Sequence, residues 1–529
     1  MAKTAPHLTQ LLDDLATRFP ERPAANLDQH LLSYAKLLEQ SKRVAMGLAE
    51  LGFGPGDRLG FWLPNRLEYL VAFFACARLG AVCVSINTKF GPAEIGDILH
   101  RSEAKGLLLA SKTGDRSVAE TLAAIESPLL DRMRHIIDAG DGLTQSPLEQ
   151  ATLTPFSSLE QAAPMEACSG AANLPMATFT TSGTTSAPKL VLQSQGSLAT
   201  HAVDVANSLS LTGKRHGSLQ ALPLCGVFGL AQALGILAGG AHLVLIDPID
   251  VPGALTMLQE HPIESMFCSD DMIDRLLNAT DATPPFKALK EIGFAAFNSA
   301  LSDITARADA RGLQLYGLYG MSECMALFAR RDALQASEDR MKGGGRCVSP
   351  EATFRVCDPE TGEVLPQGEA GSLQIKGPSL MLGYDHNPQA TNDAFSEDGW
   401  FITCDLAVDE GYGSFEFLGR MGDVLRLGGF LVNPLEIEEH LQQHDSVSAA
   451  QVVAIETPRG PRPFAFVVPR SGLVNTNALL EHCQTLAKFK RPIQFEVMEN
   501  FPVTQSANGT KIQRAKLRDM AQQAFDTLG

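Results

Sequence analysis

The sequence predicts an α/β protein with a large N-terminal domain and a small α+β C-terminal domain. Through most of the first 350 residues, helical patterns alternate with short runs rich in Val, Ile and Leu. That alternation is the signature of mostly parallel sheets covered by helices. After about residue 350 the runs are separated by Gly- and Pro-rich turns, which indicates a small β subdomain, and the tail alternates helices and strands over a shorter span.

The βαβ rhythm is clearest early in the chain. There "DRLGFWLP" (57–64) is a predicted strand, "NRLEYLVAFFACARLG" (65–80) a helix and "AVCVSIN" (81–87) a second strand. The same rhythm recurs at the runs "HLVLID", "ESMFCS" and "EIGFAAF". Residues 229–246 carry no charge, but Gly239 and Gly240 divide them into a short helix and a strand. This segment is therefore predicted to be a buried α/β unit and not an integral membrane segment.

The later part of the chain predicts short strands and a compact tail. The run "ATFRVCDPETGEVLPQGEAGSLQIKG" (352–377) is typical of strand, turn and strand, and the glycines of 413–434 indicate hairpins with a hinge. In the tail, "LEIEEHLQQH" and "NALLEHCQTLAKF" are predicted helices, and "AAQVVAIE" and "RPFAFVVP" predicted strands. We place the domain boundary near Gly419–Asp423, which gives domains 1–419 and 420–529.

Composition excludes several classes of partner. The 529 residues have a net charge of −17, so general attraction to nucleic acid or to anionic membranes is not expected. The ten cysteines form no CxxC pair, which argues against a zinc site and a disulfide framework and favours the reducing cytoplasm. The N-terminal 19 residues carry acidic side chains in an amphipathic helix pattern, unlike a signal peptide. We expect a cytoplasmic monomer or homodimer.

The segment "TFTTSGTTSAPK" (178–189) has the chemistry of a phosphate-binding loop. Backbone N–H groups, small hydroxyls and a lysine donate to phosphate oxygens, and glycine lets the backbone approach closely. The spacing matches neither the Walker pattern nor the dinucleotide pattern. On composition alone, a Ser/Thr-rich surface turn explains the segment equally well.

The loop resembles the phosphate loop of the ANL superfamily, the adenylate-forming enzymes that include acyl-CoA synthetases, nonribosomal adenylation domains and luciferases. Further segments resemble that superfamily's motifs in the same order and cover essentially the whole chain. They are "YGLYGMSE" (316–323), "GWFITCD" (399–405), "GRMGDVLRLGGFLVNPLEIE" (419–438), "FKRP" (489–492) and "PVTQSANGTKIQR" (502–514).

The resemblance implies an AMP-forming acid–CoA ligase that uses ATP, Mg²⁺ and coenzyme A. A carboxylate attacks the α-phosphate of ATP to give an acyl-adenylate and pyrophosphate, and the thiol of coenzyme A then takes the acyl group. The small C-terminal domain is mobile and rotates between the two steps. The alternatives are an adenylating enzyme that loads a carrier protein or forms an amide, and a relative without catalytic activity.

The resemblance also implies roles for individual residues. Lys511 is the adenylating lysine, Glu323 the Mg²⁺ ligand, Ser322 a contact to the α-phosphate and Tyr319 the aromatic ring on adenine. Asp405 accepts both ribose hydroxyls, with Arg420 as its partner. The remaining predicted nucleotide contacts are Thr181, Ser182, Gly183, Thr184, Thr185, Lys189, Asn298, Ser299, Gly320 and Met321.

Coenzyme A and the acid are expected at other segments. Gly428, Gly429 and Phe430 would line the passage for the thiol, and Gly422 would be the hinge. Lys488, Lys490 and Arg491 are candidates for the coenzyme A phosphates, although a solvated basic face is an equal alternative. Cys225, Gly226 and Phe228 would line the acid pocket.

Departures from the superfamily's patterns direct attention to the substrate. Cys225-Gly226 stands where an aromatic residue and a histidine are common, Phe297-Asn298 replaces smaller residues beside adenine, and Cys404 replaces a glycine. Residues 221–246 carry no acidic side chain to hold an α-amine, so α-amino acids are not expected. An apolar, uncharged wall predicts a hydrophobic small-molecule carboxylic acid: medium-chain, alicyclic or aromatic.

Overall fold

The computed structural model is an α/β protein in which a large N-terminal domain precedes a small C-terminal domain. It describes residues 7–113, 116–140, 142–181, 189–213, 216–286, 288–298, 301–423, 425–427, 430–458, 460–472, 474–506 and 509–528. Among these residues, no helix combines the length and the apolar character that crossing a membrane requires.

Several helices begin at a serine whose hydroxyl accepts a hydrogen bond from a backbone N–H of the first turn, as at Ser33, Ser194 and Ser269. The helices are α1 (Leu8–Arg18), α2 (Tyr34–Glu50), α3 (Leu67–Leu79), α4 (Pro92–Arg101), α5 (Val118–Ala123), α6 (Phe156–Leu159), α7 (Gln195–Ser208), α8 (Val227–Ala238), α9 (Val251–Glu260), α10 (Asp270–Asn278), α11 (Ile304–Asp309), α12 (Ser337–Met341), α13 (Pro388–Asp393), α14 (Pro434–Gln442), α15 (Thr476–His482) and α16 (Arg514–Leu528).

The strands of the N-terminal domain are, in chain order, β1 (Pro23–Leu27), β2 (His30–Ser33), β3 (Arg58–Trp62), β4 (Val82–Ser85), β5 (Gly106–Leu109), β6 (Lys112–Thr113), β7 (Arg116–Ser117), β8 (His135–Asp138), β9 (Thr152–Pro155), β10 (Pro175–Thr180), β11 (Leu190–Ser194), β12 (Gly217–Gln220), β13 (His242–Leu245), β14 (Ile263–Ser269), β15 (Glu291–Ala295), β16 (Leu315–Tyr319), β17 (Ala329–Arg330), β18 (Gly343–Cys347), β19 (Thr353–Cys357), β20 (Ala370–Lys376), β21 (Gly383–Tyr384), β22 (Phe401–Gly411) and β23 (Ser414–Arg420).

Two large sheets organise these strands. An eight-stranded sheet has the order β21-β11-β10-β4-β3-β5-β8-β9 and is parallel from β10 to β9. A thirteen-stranded sheet has the order β19-β20-β22-β23-β18-β17-β16-β15-β14-β12-β13-β1-β2. It is parallel from β16 to β1 and antiparallel from β16 to β19, so the predicted β subdomain extends the same sheet.

The C-terminal domain is built on a three-stranded sheet with flanking helices and two hairpins. Its strands are β24 (Leu425–Leu427), β25 (Phe430–Val432), β26 (Val447–Ile455), β27 (Arg462–Pro469), β28 (Gln494–Val497), β29 (Val503–Ser506) and β30 (Gly509–Ile512). Strands β26, β27 and β28 form the sheet, while β24 pairs with β25 and β29 with β30.

The predicted fold class is confirmed, and the predicted βαβ unit β3-α3-β4 has parallel strands. The apolar segment 229–246 is, as expected, the buried helix α8 followed by β13. One helix is shorter than the sequence predicts: α15 ends at His482, and residues 483–485 form a 3₁₀ turn. The N–H of Leu486 donates to the carbonyl of Cys483, which tightens the chain there.

The largest apolar core joins both sheets. It packs helices α3, α7 and α8 against Phe61 and Ala177 of the eight-stranded sheet and against Leu243 and Phe267 of the thirteen-stranded sheet. This packing holds the end of β16 in place, where the thirteen-stranded sheet changes from parallel to antiparallel. In open α/β sheets, ligands bind outside the carboxyl ends of strands at such switch points.

Candidate active site

Predicted site residues from distant parts of the chain converge near the end of β16. Tyr319 is the last residue of β16, Asp405 lies within β22, Glu323 lies in a 3₁₀ turn (Ser322–Cys324), and Lys189 precedes β11. A hydrogen bond joins Tyr319 to Asp405 in one group. In the other, Glu323 and Lys189 both contact Tyr384, through a hydrogen bond and a cation–π contact.

The first group surrounds Asp405, whose side chain is almost fully buried. Its Oδ2 accepts a hydrogen bond of 2.6 Å from the hydroxyl of Tyr319. Arg420, opposite Asp405 in the register of β22 and β23, places Nε 3.1 Å from Oδ1. Burial raises the pKa of Asp405 to about 6, against the opposing effects of Arg420 and the Tyr319 hydroxyl.

Asp405 has acceptor capacity to spare. The ion pair with Arg420 does not meet hydrogen-bond geometry, and Oδ1 has no hydrogen-bond partner in the part of the chain that the structure describes. A buried carboxylate oxygen without a hydrogen bond costs free energy, which an incoming hydroxyl donor would offset. Asp405 therefore fits the predicted ribose contact.

The ring of Tyr319 is 5% exposed and packs against two aromatic side chains of β23. Phe415 lies edge-on to it at a centroid distance of 5.2 Å, and Phe417 is tilted at 5.4 Å. The ring is thereby fixed in orientation while its hydroxyl holds Asp405. The predicted adenine contact and the predicted ribose contact are therefore mechanically linked.

The second group surrounds Glu323, which is 6% exposed. Its Oε1 accepts a hydrogen bond of 2.9 Å from the hydroxyl of Tyr384, and its carbonyl accepts one of 2.8 Å from the N–H of Met381. Burial, and then the nearby Glu323, raises the pKa of Tyr384, so the phenol keeps its proton and donates.

The donor set around Glu323 fits Mg²⁺. Mg²⁺ takes one or two protein carboxylates and completes its shell with water and phosphate oxygens. Glu323 supplies one carboxylate, and the described residues contain no cluster of three or more His, Cys, Asp or Glu side chains that could hold a metal.

The turn that carries Glu323 is held from both sides. The side chain of Gln193 donates from Nε2 to the carbonyl of Ser322 at 3.0 Å. The carbonyl of Met321 accepts from the N–H of Ala326 at 2.9 Å. A Cβ at Gly320 would lie 1.2 Å from the carbonyl oxygen of Ala326, so no other residue fits there.

The two ends of the predicted phosphate loop are joined. Thr181 N donates to Lys189 O at 3.0 Å, and Lys189 N donates to the Thr181 hydroxyl at 3.1 Å. The exposed Lys189 places Nζ 4.4 Å from the ring centroid of Tyr384. The predicted contacts between them lie outside the described residues: Ser182, Gly183, Thr184 and Thr185.

The segment predicted to lie beside adenine is anchored by a buried aspartate. Asp270 Oδ2 accepts from the N–H groups of Phe297 and Asn298, both at 2.8 Å, and Asn298 also donates from Nδ2 to Asp271 at 3.0 Å. These bonds fix the backbone in spite of the larger side chains. Ser299 lies outside the described residues.

Cys404 occupies a position whose backbone conformation explains why the superfamily pattern that the sequence resembles has glycine there. Its φ is +57°, in the left-handed region that glycine adopts without strain. Its side chain is exposed at the surface but lies close to Lys189, Glu323 and Arg420, and partial desolvation by the surrounding groups raises the pKa of its thiol.

The predicted acid segment is buried and apolar. Asn65 holds it by accepting from Leu224 N at 2.8 Å through Oδ1. Cys225 precedes Gly226, the residue before α8, and burial raises the pKa of the Cys225 thiol to about 11. Phe228 packs edge-on against Phe267 of β14, with ring centroids 6.4 Å apart.

The C-terminal site residues have varied surroundings. Exposed Gly422 lies in the turn after β23, where its carbonyl accepts a 2.7 Å hydrogen bond from Arg518. Lys511 lies in β30 and Phe430 lies in β25, but their side chains are outside the described part of the structure. Gly428 and Gly429 lie entirely outside the described residues.

The three basic residues proposed for coenzyme A phosphates are partly engaged within the domain. Lys490 pairs with Glu436 at 2.5 Å, and Arg491 donates to the carbonyls of Leu486 and Gln484. Lys488 is exposed. Their assignment to coenzyme A stays a prediction.

Sequence reasoning did not identify three residues at this site: Tyr384, Asp270 and Phe267. Tyr384 lies in "MLGYD" (381–385), which contains no pattern typical of nucleotide binding. Asp270 is the first residue of α10, after a strand, and only this placement at the carboxyl end of β14 could have suggested a role. Phe267 reads as an ordinary core residue.

Known proteins resemble the chain along its whole length. The family of AMP-binding enzymes matches residues 12–385, and the AMP-binding enzyme C-terminal domain matches residues 436–508. The long-chain-fatty-acid–CoA ligase of Salmonella typhimurium is 29% identical over 561 residues, covering 98% of this chain and 95% of the relative. The feruloyl-CoA synthase of an Amycolatopsis species is 29% identical over 496 residues, covering 92% and 93%.

A solved structure has the same fold. The O-succinylbenzoate coenzyme A synthetase of Bacillus subtilis, in complex with AMP, superposes with a TM-score of 0.77 at 26% identity, covering 96% of this chain and 98% of that one. The motif resemblance is thus confirmed by independent comparisons. The chain belongs to the AMP-binding enzymes, in the acyl-CoA synthetase branch of the adenylate-forming superfamily.

Proposed function

We propose that this enzyme is an AMP-forming ligase that joins a hydrophobic monocarboxylic acid to coenzyme A, using ATP and Mg²⁺. The observation that carries the proposal is the convergence of Asp405, Glu323 and Lys189 near the end of β16. One buried carboxylate with an open acceptor suits a ribose, a second suits Mg²⁺, and the lysine suits phosphate. The curated relatives that match along the whole chain include ligases of coenzyme A.

In the first step, an oxygen of the acid forms a bond to the α-phosphorus, and the bond from that phosphorus to the bridging oxygen breaks to release pyrophosphate. Because both reactants are anions, positioning and charge stabilisation supply most of the catalysis. Lys189 and the loop 181–185 hold the β- and γ-phosphates, Asp405 orients the ribose, and Lys511 meets the developing charge. Glu323 would hold Mg²⁺, and the bound ion would neutralise phosphate charge.

In the second step, the thiolate of coenzyme A attacks the acyl carbon, and AMP leaves. We assign this step to a second pose of the C-terminal domain, with the domains divided at 419/420 and Gly422 as the hinge. Among the described residues, a Cβ at Gly422 would meet nothing within 4 Å, which is compatible with a hinge there. The alternative acceptor, a pantetheine arm on a carrier protein, would use the passage that the sequence predicts at Gly428, Gly429 and Phe430.

The acid class follows from the wall at 222–230 and from what lies behind it. Phe228 contacts Phe267, and Phe267 also lines a narrow apolar cleft of about 10 Å³ with Val205, Leu318 and Leu327. We infer that Phe267, which contacts Phe228 and also lines this cleft, limits the depth of the predicted acid pocket. A second carboxylate in the substrate would lose its hydration without gaining a partner.

A pyrophosphate-release screen tests the proposed function. Aliphatic acids of increasing length, alicyclic, aromatic and dicarboxylic acids are each supplied with ATP and Mg²⁺, with and without coenzyme A. We expect the highest kcat/KM for a hydrophobic monocarboxylic acid and an acyl-CoA product. A preference for acetate or a dicarboxylate would contradict the acid class, and AMP formation without thioester would favour the carrier-protein alternative.

Gly226→Trp is expected to narrow the acid pocket. The extended backbone at this position (φ −94°, ψ 143°) accepts a side chain without strain. The tryptophan would exclude from the pocket an apolar part of the acid about as large as one side chain. The lost burial should lower kcat/KM about 10- to 100-fold for the best substrate. The KM for ATP should change little. Unchanged selectivity among acids would show that residues 222–230 do not line the pocket.

Phe267→Leu is expected to deepen the pocket and shift the preference to longer acids. Each additional CH₂ that becomes buried should raise kcat/KM about fourfold relative to the wild-type profile. Phe294→Leu is the matched control, because Phe294 is an equally buried phenylalanine on the neighbouring strand β15 but packs into a different core. A chain-length profile that shifts equally in both variants would contradict the role of Phe267.

A further inference from the structure

Tyr384 touches both charged groups of the second cluster. Its hydroxyl donates to Glu323 Oε1 at 2.9 Å, and its ring centroid lies 4.4 Å from Lys189 Nζ. The carboxylate and the ammonium are thus neighbours through one phenol, and they do not pair directly within the described residues. The Tyr384 side chain therefore lies between the Glu323 carboxylate and the Lys189 ammonium at the proposed site for Mg²⁺ and phosphate.

Strand pairing, a hydrogen bond and an ion pair hold the backbone around Tyr384 in place. Strand β21 pairs with β11, so Tyr384 lies opposite Val191, two residues after Lys189. Its N–H donates to the hydroxyl of Thr391 at 2.8 Å. The next residue, Asp385, forms a partly buried ion pair with Arg58 of β3 through two hydrogen bonds. A phenol on such a support can define the position of flexible neighbours.

This arrangement has a physical consequence for each neighbour. An exposed lysine beside a carboxylate would ordinarily form a direct ion pair with it, and neither charge would then be available to an incoming ligand. The ring face offers the ammonium a cation–π contact in place of that pair. The hydroxyl occupies Oε1 of Glu323 and fixes the rotamer of the carboxylate, which leaves Oε2 for a metal.

We propose that Tyr384 is a positioning residue for the metal–nucleotide complex: its hydroxyl sets the carboxylate of Glu323 for Mg²⁺, and its ring sets Lys189 for phosphate. The inference rests on the proposed function, which gives Glu323 and Lys189 their ligands. It predicts two separable effects, because the hydroxyl and the ring can be removed one at a time.

The test measures the dissociation constant of ATP by calorimetry, with saturating Mg²⁺ and with a chelator, in the absence of acid and coenzyme A. The ratio of the two constants is the Mg²⁺ enhancement. Tyr384→Phe should lower this enhancement about 10-fold, in the range found when a partner of a metal ligand is removed, and should leave metal-free ATP binding unchanged. Tyr384→Leu should in addition weaken metal-free binding, since Lys189 loses the ring.

Tyr316→Phe is the matched control. Tyr316 is likewise buried and lies under a cation, with Arg330 4.6 Å from its ring centroid, but it contacts neither Glu323 nor Lys189 in the described residues. It should keep the wild-type enhancement. An equal loss in Tyr316→Phe and Tyr384→Phe would overturn the inference, because the effect would then be general loosening of the fold.

A double-mutant cycle with Glu323→Gln separates positioning from stability. If the Tyr384 hydroxyl acts through Glu323, then Tyr384→Phe should not change the Mg²⁺ enhancement in the Glu323→Gln background. Additive losses would overturn the inference. If Tyr384→Phe shows the expected loss only when Glu323 is present, but the acid screen gives no product, the proposed ligase function alone is refuted. If Mg²⁺ does not enhance ATP binding in the wild type, the role of Tyr384 is refuted.

Discussion

Lys511→Ala should lower the rate of acyl-adenylate formation by about 10²- to 10³-fold, while thioester formation from presynthesised acyl-adenylate continues. Lys511 lies in β30, the second strand of the hairpin that precedes α16. In the proposed first step its ammonium stabilises charge that develops between two anions. Removing one such group from a preorganised site costs about 10²- to 10³-fold in rate. The second step uses another pose of the domain and should be spared.

The two half-reactions are measured separately, as acid-dependent pyrophosphate exchange and as acyl-CoA production from added adenylate. Lys516→Ala is the matched control, because Lys516 is an exposed lysine on the following helix α16. It should retain both half-reactions. Equal loss of the two half-reactions in Lys511→Ala would contradict a role confined to adenylation.

Asp405→Ala should weaken ATP binding through loss of the ribose contact. The carboxylate is buried, holds Tyr319 and keeps one oxygen free of hydrogen bonds among the described residues. Losing charge-assisted hydrogen bonds to a vicinal diol should cost roughly 2–4 kcal/mol, or about 30- to 900-fold in affinity. Wild type should bind 2'-deoxy-ATP less tightly than ATP, and the variant should not distinguish them.

Asp409→Ala serves as the control for Asp405→Ala. Asp409 lies in the same strand, where it accepts from the N–H of Gly411 at 2.7 Å. It should bind ATP as the wild type does. If the wild type binds ATP and 2'-deoxy-ATP equally, the ribose assignment is wrong.

The same residue predicts a pH dependence. Because burial raises the pKa of Asp405 to about 6, the carboxyl is ionised above pH 6 and loses an acceptor site as the pH falls through that value. The KM for ATP should therefore rise below pH 6. A phosphate group also titrates near that pH, and this affects every variant. The pH profile of the KM for ATP is therefore measured in Asp405→Asn as well. Only the difference between the wild-type and Asp405→Asn profiles reports the titration of Asp405.

Much of the architecture follows from local patterns. Alternation of apolar runs with amphipathic segments predicted β3, α3 and β4, and the paired glycines at 239–240 predicted where α8 ends. These predictions succeed because burial of one face of an element depends on residues close in sequence. The end of α15 was missed, since it depends on a turn at Cys483 that apolar periodicity does not reveal.

The candidate site divides in a similar way. The order of the motifs identified the superfamily and assigned roles to Glu323, Asp405 and Lys511, but it did not include Tyr384. The contact from Tyr384 to Glu323 spans 61 positions, and the contact from Tyr319 to Asp405 spans 86. Neither partner in such a pair has a local pattern that names the other.

The sequence by itself determined the fold class, the residue types available to phosphate, ribose and metal, and the apolar character of the acid segment, because each depends on short-range composition and spacing. The tertiary structure alone decided which groups touch. It placed Tyr384 between Lys189 and Glu323, left Oδ1 of Asp405 without a hydrogen bond among the described residues, and brought Phe267 into contact with Phe228. Strand order and register bring these residues together, and both arise from packing over the whole chain.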